Sequence, residues 1–543
     1  MLADINTKVI KGSTLLYETL KNLGVDTVFG YPGGIVLEVY DEFYKHNYIK
    51  HVLVRHEQSA VHAAEGYAKT TGKCGFVIVT SGPGATNTVT GITNAYLDGT
   101  PIVVLTGQVF SNLLGKDAFQ EANICEMTKT CTKAVFQVKT IEQLKETIIE
   151  AHKVALSNRK GPVVVDIVKD VFQQFIEQAP NNVEVVNSSV EVSYQNYDRI
   201  ISLISNSKKP VIVAGGGVIS AKAEDDLAKF LSRTSIPVVN TMMGLGSINQ
   251  EVDNYFGMVG IFGDYSANQI IKDSDLIISL GARFNDRIIS QFKDIDISKK
   301  FVQIDINEKE IGNFIVNPLA YSITDIKNFI CILNKNIGCN YSFWNNQAQV
   351  LKTFNKKRCK TTNLLHSYEV IREIERCTKN QELIFSTDVG QHQLWSVQNL
   401  KFNKNRKLLT SGGLGTMGYG LPAAIGAAFA NASNPVVCIT GDGSFQMSLQ
   451  ELATCVENNL NIKIFILNNG YLGMVRQLQE KFCEQRYSQT QISNPDFVKL
   501  AQSYGVEAVR VSSLCDIENA ICKAFSNKSP YIVEFIIEPM ELL

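Results

Sequence analysis

The sequence predicts an α/β fold of three doubly wound parallel-sheet domains, and three observations lead there. First, short runs rich in Val and Ile alternate with helical patterns almost throughout: FVIVT (76–80), PIVVLTG (101–107), PVVVDI (162–167), PVIVAGG (210–216), DLIISLGA (275–282), VVCITGDG (436–443) and IKIFILNN (462–469). Second, most of these runs close on Gly, Thr or Asn, and they are continuously apolar, as strands are when helices cover both faces of a parallel sheet. Third, two polar stretches interrupt the alternation, APNNVEVVNSSVEVSYQNY at about 179–197 and an Asn- and Lys-rich one at about 333–363. At roughly 150 residues per domain, 543 residues suffice for three or four domains. Read as linkers, the polar stretches divide the chain into domains over 1–180, 197–335 and 363–543.

Composition excludes several classes of function. Lys and Arg total 52 against 53 Asp and Glu, so no overall field favours nucleic acid or an acidic membrane surface. No run of 18 consecutive apolar residues is present to span a membrane. The opening MLADINTKVIKGSTLLYETL lacks the apolar core of a secretory signal and is acidic for a transit peptide. The 12 cysteines include no CxxC pair, so neither a zinc site nor a disulfide framework is indicated. Free thiols in a reducing cytoplasm are the expectation.

The elements that carry chemistry follow in chain order. HVLV (51–54) reads as a strand, and Glu57 opens the helix after it. A glutamate in a first helical turn is, on its own, a dipole-stabilising residue. In the central domain Gly215, Gly216 and Gly217 close the strand PVIVA. A glycine turn there suits a nucleotide phosphate, but it lacks the GxGxxG spacing and reads equally as a bare turn. In the third domain VVCIT (436–440) is a strand, GDGS (441–444) its turn, FQMSLQELATCVENN (445–459) a helix and IKIFIL (462–467) the next strand. A right-handed βαβ unit brings Asp442 and Asn469 together at the carboxyl ends of adjacent strands, where open α/β sheets bind ligands. A carboxylate, an amide oxygen and a nearby backbone carbonyl are hard donors suited to Mg²⁺, which usually adds water and phosphate oxygens. Gly441 and Gly443 let a backbone approach a diphosphate closely. GDG alone is a tight turn and NN alone a strand-end cap; the strand–helix–strand spacing is what joins them.

GDG followed by NN at this spacing resembles the metal–diphosphate motif of thiamine diphosphate enzymes. The surrounding GDGSFQMSLQELATC and NNGYLGMVRQ resemble the large catalytic subunit of the acetolactate synthase (acetohydroxyacid synthase) family. The similarity extends through GYPGG (30–34), RHEQSAVHAAEGYA (55–68), TSGPGATN (80–87), LGKDAFQEANI (114–124), GPVVVDIVKDV (161–171), GARFNDR (281–287), TDVGQHQLW (387–395) and GTMGYGLPAAIGA (415–427).

The resemblance implies a pyrimidine-binding first domain, an FAD-binding-like central domain and a diphosphate- and Mg²⁺-binding third domain. Glu57 matches the glutamate that meets N1′ of the aminopyrimidine. Val389, Gly390, Gln391 and His392 match the diphosphate segment, Gly415 the carbonyl that holds the 4′-amino group, and Met417 the apolar prop that bends the cofactor. Gly441, Asp442, Gly443, Ser444, Asn469, Tyr471, Gly473 and Met474 complete the implied cofactor set, with Asp442, Asn469 and the Tyr471 carbonyl as metal ligands. Gln120, Lys169, Phe119 and Gly34 match residues at the active-site mouth, although a lysine such as Lys169 is otherwise a solvated surface residue. Arg287 matches the arginine that grips a second keto acid's carboxylate, with an ion pair to Asp286 as the competing reading.

For FAD, Arg159, Gly215, Gly216, Gly217, Asp286, Asp305 and Asp325 stand at matching positions. Two departures weaken that match: the family's GMHG reads GIFG here, with Ile261 and Phe262, and its GARFDDR has Asn285. Leu478 stands where relatives carry a tryptophan, which together with Ile261 leaves a smaller surface for the extra methyl of 2-ketobutyrate.

The implied reaction decarboxylates pyruvate and transfers a hydroxyethyl unit to a second 2-keto acid, giving 2-acetolactate or 2-aceto-2-hydroxybutyrate in branched-chain amino-acid biosynthesis. The family also implies a homodimer or homotetramer and leaves open a separate regulatory small subunit. A pyruvate oxidase or decarboxylase, or a non-catalytic scaffold or regulatory paralogue, are the alternatives. DAFQEANI and LGMVRQ speak against the first pair, and the full set of Glu57, Gln120, Lys169, Asp442 and Asn469 against the second.

Overall fold

The computed structural model describes residues 8–178, 196–354, 362–431 and 433–543. Nearly all of the expected first linker, and the 355–361 part of the second, lie outside these residues.

The described chain forms three six-stranded parallel sheets flanked by helices. In the first domain these strands are β2 (Thr27–Tyr31), β3 (Lys50–Leu53), β4 (Gly75–Val79), β5 (Ile102–Gln108), β6 (Ala134–Val138) and β7 (Pro162–Val168). A separate antiparallel ribbon pairs β1 (Lys8–Lys11) with β8 (Phe175–Gln178). The central domain holds β9 (Pro210–Ala214), β10 (Val238–Asn240), β11 (Tyr255–Met258), β12 (Leu276–Leu280), β13 (Phe301–Asp305) and β14 (Ala320–Ile323). The third holds β15 (Leu383–Thr387), β16 (Arg406–Leu409), β17 (Val436–Gly441), β18 (Ile462–Asn468), β19 (Glu507–Val511) and β20 (Tyr531–Ile536).

The spatial orders are β3-β2-β4-β5-β7-β6, β11-β10-β9-β12-β13-β14 and β16-β15-β17-β18-β20-β19. The first and third domains therefore share one topology, a kinship the sequence does not reveal. The central domain has the strand order of dinucleotide-binding folds, with its switch point between β9 and β12. All seven apolar runs are strands, and every residue of β4, β5, β7, β9, β12 and β17 is buried, as two-sided helix cover requires.

Two local expectations are corrected. The helix expected over 445–459 is broken into Asp442–Phe445, a 3₁₀ turn at Leu449–Glu451 and Leu452–Glu457. Ser448 leaves helical backbone there (φ −140°), and the Gln446 amide is drawn to Asn494 Oδ1 at 2.9 Å. The stretch read as a linker at 333–363 contains the helix Ser342–Ala348. Its polar composition hides one apolar face: Trp344 and Ala348 are buried against the central sheet, and the Trp344 indole donates to the Pro210 carbonyl at 3.2 Å.

One contact joins the first and third domains into a common core. The helix Glu57–Thr71 crosses the helix Gly420–Ala430 along a seam of Ala60, Ala63, Ala64, Gly66, Ala423, Ala424, Gly426 and Ala427, all buried. A Cβ at Gly66 would collide with the Ala423 carbonyl, and one at Gly426 with the Ala63 carbonyl, so the two backbones touch. Polar contacts flank the seam: Lys69 Nζ donates to Asp98 (2.9 Å), Tyr419 Oη (3.1 Å) and the Thr410 carbonyl (3.2 Å), and Glu451 accepts from the Arg55 backbone N–H at 3.0 Å. Among the described residues no helix is long and apolar enough to cross a membrane.

Gly426→Val forces this seam apart and is expected to lower stability by about 3 kcal/mol. Gly338→Ala, where no atom lies within 4 Å of the added carbon, is expected to change it little. Urea unfolding of both variants checks the contrast.

Candidate cofactor and active site

The third domain gathers its expected residues into one cradle at the carboxyl ends of β15, β17 and β18. Gly390 (φ +154°) and Gly441 lie against the His392 ring; an added Cβ would come within 2.8 Å of it at either position. Ser444 Oγ donates to the Val389 carbonyl at 3.2 Å, tying the GDGS turn to the segment after β15. A Cβ at Gly443 would lie 2.8 Å from Leu472 and 3.9 Å from the Met417 methyl, and one at Gly473 would be 2.7 Å from the Asn469 amide and collide with Gln391. Glycine is the residue that leaves this concavity open.

Two observations test the fit of a diphosphate and a metal. The buried Nε2 of His392 has no hydrogen-bond partner, and burial pulls this imidazole down to about 3. In the tautomer that carries its one proton on Nε2, the neutral ring would donate to a phosphate oxygen. Asp442 is 2% exposed, and burial pushes its carboxyl up to about 6 although it accepts from Asn494 Nδ2 (2.7 Å) and the Gly470 N–H (2.9 Å). Asn469 Oδ1 accepts from the Tyr471 N–H at 2.9 Å, closing a turn through Gly470 (φ +68°). Among the described residues no three His, Cys, Asp or Glu side chains cluster as a metal cage. One carboxylate, one amide and a carbonyl suit Mg²⁺ with phosphate and water completing its shell. The residues fit both groups.

The first domain carries the other expected residues, again beyond strand ends. Glu57 opens its helix, whose N-cap is His56, and Glu57 Oε2 accepts from Asn87 Nδ2 at 2.9 Å. Gln120 adopts φ +61° and packs its backbone on Gly82 (φ +58°), so the loops after β4 and β5 meet. Lys169 Nζ donates to the Gly34 carbonyl at 3.2 Å and sits 5.2 Å above the Phe110 ring, and Phe119 is 89% exposed.

A cavity of about 1300 Å³ runs between the three domains. Gly216, Gly217, Asp286, Asp305 and Asp325 line its central-domain side and Arg159 its first-domain side, while Val389, Gly390, Gly415 and Met474 line the third. Gly215 is not on its wall; it packs behind, in backbone contact with Gly281 across the β9–β12 switch point, and Gly217 N–H donates to the Gly281 carbonyl at 3.0 Å. The opening at a switch point, with a floor free of side chains, fits a dinucleotide.

Other jobs accompany these positions. Asp325 caps the helix Ile326–Asn336, Arg159 donates to the Tyr96 and Leu97 carbonyls (3.1 and 3.0 Å), and burial pushes the Asp305 carboxyl up to about 6. Arg287 and Ile261 also line this cavity, joined by the Ile261 N–H to the Arg287 carbonyl at 2.9 Å. The Arg287–Asp286 pair is long (3.9 Å) with both side chains exposed, so it contributes little and leaves the guanidinium accessible. Leu478 is 44% exposed, one turn beyond Met474 on the helix Gly473–Phe482. Glu57, Gln120, Lys169, Gly34 and Phe119 do not line this cavity.

Sequence reasoning missed the residues that hold these groups in place. Asp388, wholly buried, accepts from the Gly418 N–H (2.6 Å) and Thr440 Oγ1 (3.0 Å), and so ties the Gly415–Gly418 turn to β17. Its signal was available: a carboxylate at a strand end, immediately before Val389. Asn494 bridges Asp442 and Asn468 Oδ1 (2.9 Å) from a loop without any local signature.

Comparison with known proteins agrees with this architecture. The family described as thiamine pyrophosphate enzyme matches three times: its N-terminal TPP binding domain over residues 10–127, its central domain over 197–330 and its C-terminal TPP binding domain over 388–535. Fold and site together define a thiamine diphosphate-dependent enzyme of three α/β domains. Relatives at similar distance include the acetolactate synthase large subunit of Haemophilus influenzae, 38% identical over 97% of this chain and 94% of the relative, and that of Lactococcus lactis, 38% identical over 98% and 94%. The chloroplastic acetolactate synthase of Arabidopsis thaliana is 39% identical over 98% of this chain and 82% of its own length. The chain belongs to the acetolactate synthase large-subunit family.

His392→Asn is expected to weaken thiamine diphosphate binding about tenfold at pH 7.5, where the imidazole of the cofactor-free protein is neutral. The unfolded chain takes up this proton near pH 6.5 and the folded chain only near 3, so stability is lost as pH falls below about 6.5. At pH 5 the cofactor-free wild type is expected to lose about 2 kcal/mol that the asparagine variant keeps, measured by denaturant unfolding at pH 5 and 7.5.

Proposed function

We propose that this chain is a catalytic subunit that decarboxylates pyruvate and joins the remaining two carbons to a second 2-keto acid, yielding 2-acetolactate or 2-aceto-2-hydroxybutyrate. The observation that carries the reading is the third-domain cradle, where the orphaned His392 nitrogen and the buried Asp442 carboxyl adjoin a glycine-lined concavity. Thiamine diphosphate supplies an acidic thiazolium C–H and an electron sink for decarboxylation.

The chain's residues bind and orient. Val389, Gly390, Gln391, His392 and the GDGS turn would hold the diphosphate; Asp442, Asn469 and the Tyr471 carbonyl would hold Mg²⁺, with Gly473 beside Asn469; Gly415 and Met417 would set the aminopyrimidine end, with Met474 on the same cavity wall as Gly415. Glu57 holds and moves a proton at the pyrimidine nitrogen, and its side chain is half-buried beside Asn87. Gln120 and Lys169, with Phe119 and Gly34, exclude water and orient the keto acid's polar end. The Arg287 fork suits the second acid's carboxylate, and Leu478 with Ile261 sets the size of its side chain. FAD would occupy the interdomain cavity, along Gly216 and Gly217 with Gly215 packed behind them, and near Arg159, Asp286, Asp305 and Asp325.

The two sets of residues complete each other across subunits in this reading, the first domain of one chain facing the third of its partner. Exposed apolar side chains beside both sets support a homodimer or homotetramer: Phe110 and Phe119 on one, Leu414, Met447 and Leu478 on the other. Relatives are named large subunits, which supports a separate regulatory small subunit. The unpaired cysteine thiols of the described residues suit a reducing compartment such as the cytoplasm.

Product analysis of the purified chain with pyruvate, alone and with 2-ketobutyrate, tests the reading. Acetolactate formation is expected to require thiamine diphosphate and a divalent cation, and Glu57→Gln to lose at least about 10²-fold in rate. Acetaldehyde or acetyl phosphate as the sole product would contradict it.

The second substrate gives a separate expectation. One methylene in a pocket is worth about 10–200-fold in selectivity, so Leu478→Trp should raise the preference for 2-ketobutyrate over pyruvate about tenfold or more. Competition between the two acids measures the ratio.

A further inference from the structure

We propose that Asn94 and Ser411 are positioning residues for the Gly415–Met417 segment, through which the first domain of a chain shapes the cofactor cradle on its own third domain. The inference rests on the cofactor reading above. Asn94, on the helix Val89–Asp98, is wholly buried, and its Nδ2 donates to both oxygens of Glu65 at 3.1 and 2.9 Å. Glu65 is also wholly buried, lies on the helix that Glu57 opens, and has His62 Nδ1 3.0 Å from Oε1 and Lys69 Nζ 3.9 Å from Oε2. With its Nδ2 held by both Glu65 oxygens, the Asn94 amide has one orientation, and its oxygen turns toward the third domain.

That oxygen accepts from Ser411 Oγ and from Thr416 Oγ1 (3.2 Å). Having given away its one proton, the Ser411 hydroxyl accepts from the backbone N–H groups of Gly415 (3.0 Å) and Thr416 (2.9 Å). The bonds run head to tail, from backbone amides through hydroxyl and side-chain amide to carboxylate, and such a series strengthens each member. Neighbours on the same two helices pin the start of the segment: Asp98 accepts from the Gly413 N–H at 2.8 Å, and Lys69 donates to the Thr410 carbonyl. Without these ties Gly415 (φ +75°), itself exposed, has little to define it.

The network reaches only one end of the cradle. Gly415 and Met417 belong to the aminopyrimidine end, whereas Val389–His392 and the GDGS turn belong to the diphosphate end. Losing Ser411 should therefore weaken recognition of the ring and leave recognition of the diphosphate intact.

The test compares full-length wild type, Ser411→Ala, Ser411→Thr and Asn94→Asp. Hydrogen–deuterium exchange over residues 411–418 is measured in the cofactor-free protein, and affinities are measured for thiamine diphosphate and for inorganic pyrophosphate, each with Mg²⁺. Ser411→Ala is expected to speed exchange of the Gly415 and Thr416 amides about tenfold and to weaken thiamine diphosphate about tenfold, with pyrophosphate unchanged. Ser411→Thr, which keeps the hydroxyl, should restore both readouts. Asn94→Asp puts a second carboxylate against Glu65 and should act in the same direction; if it fails to fold, Ser411→Ala decides. Wild-type exchange and an unchanged ratio of the two affinities in Ser411→Ala would overturn the proposal, as would equal loss of both ligands. Wild-type protein that binds thiamine diphosphate no better than pyrophosphate would refute the cofactor reading instead.

Discussion

Backbone contact between two helices is the constraint on which the rest of this structure depends. Where the helix Glu57–Thr71 meets the helix Gly420–Ala430, Gly66 and Gly426 leave no room for even a methyl group. A seam this close admits one relative placement of the two elements, since any rotation drives a carbonyl into a side chain. Both helices begin at chemistry. The first starts with Glu57; the second follows directly on the Gly415–Gly418 turn. Fixing the seam therefore fixes how Glu57 and the Gly415–Gly418 turn of the same chain are held. Small residues here serve placement rather than burial of area.

Around that seam the protein buries polar groups and gives several of them partners. Glu65, Asp388, Asp442 and His392 are all nearly inaccessible; Glu65 joins two helices, and Asp388 and Asp442 each tie a loop to a strand end. The Nε2 of His392 is among the buried side-chain atoms left without a partner. A buried polar atom without a partner costs about 1–3 kcal/mol, so its persistence at the mouth of a glycine-lined concavity is an argument for a ligand that satisfies it. The shared strand order of the first and third domains extends the same logic, because each presents its functional loops at the carboxyl ends of topologically equivalent strands.

Much of this was legible in the sequence, and the reasons are physical. Buried parallel strands need unbroken apolar runs, so β4, β5, β7, β9, β12, β17 and β18 announced themselves. Strands such as β16 (RKLL), with a charged residue facing outward, did not. The helix at Ser342–Ala348 was hidden because its burial rests on two residues in an otherwise polar stretch. Glu57, Asp442 and Asn469 stood out through their motifs. Asn94, Ser411 and Asn494 carry no local pattern, because their partners lie in remote parts of the chain and only the fold brings them together.

The central claim is that a working site draws its first-domain residues from one chain and its cradle from another. Subunit complementation tests it most directly. Two singly inactive chains, Glu57→Gln and Asp442→Ala, are unfolded together, refolded as a mixture and assayed for acetolactate. A site shared between chains predicts recovery of about one quarter of the wild-type rate, because half of the randomly formed dimers then hold one intact site of two. A mixture no more active than its components, although hybrid dimers form, would contradict it.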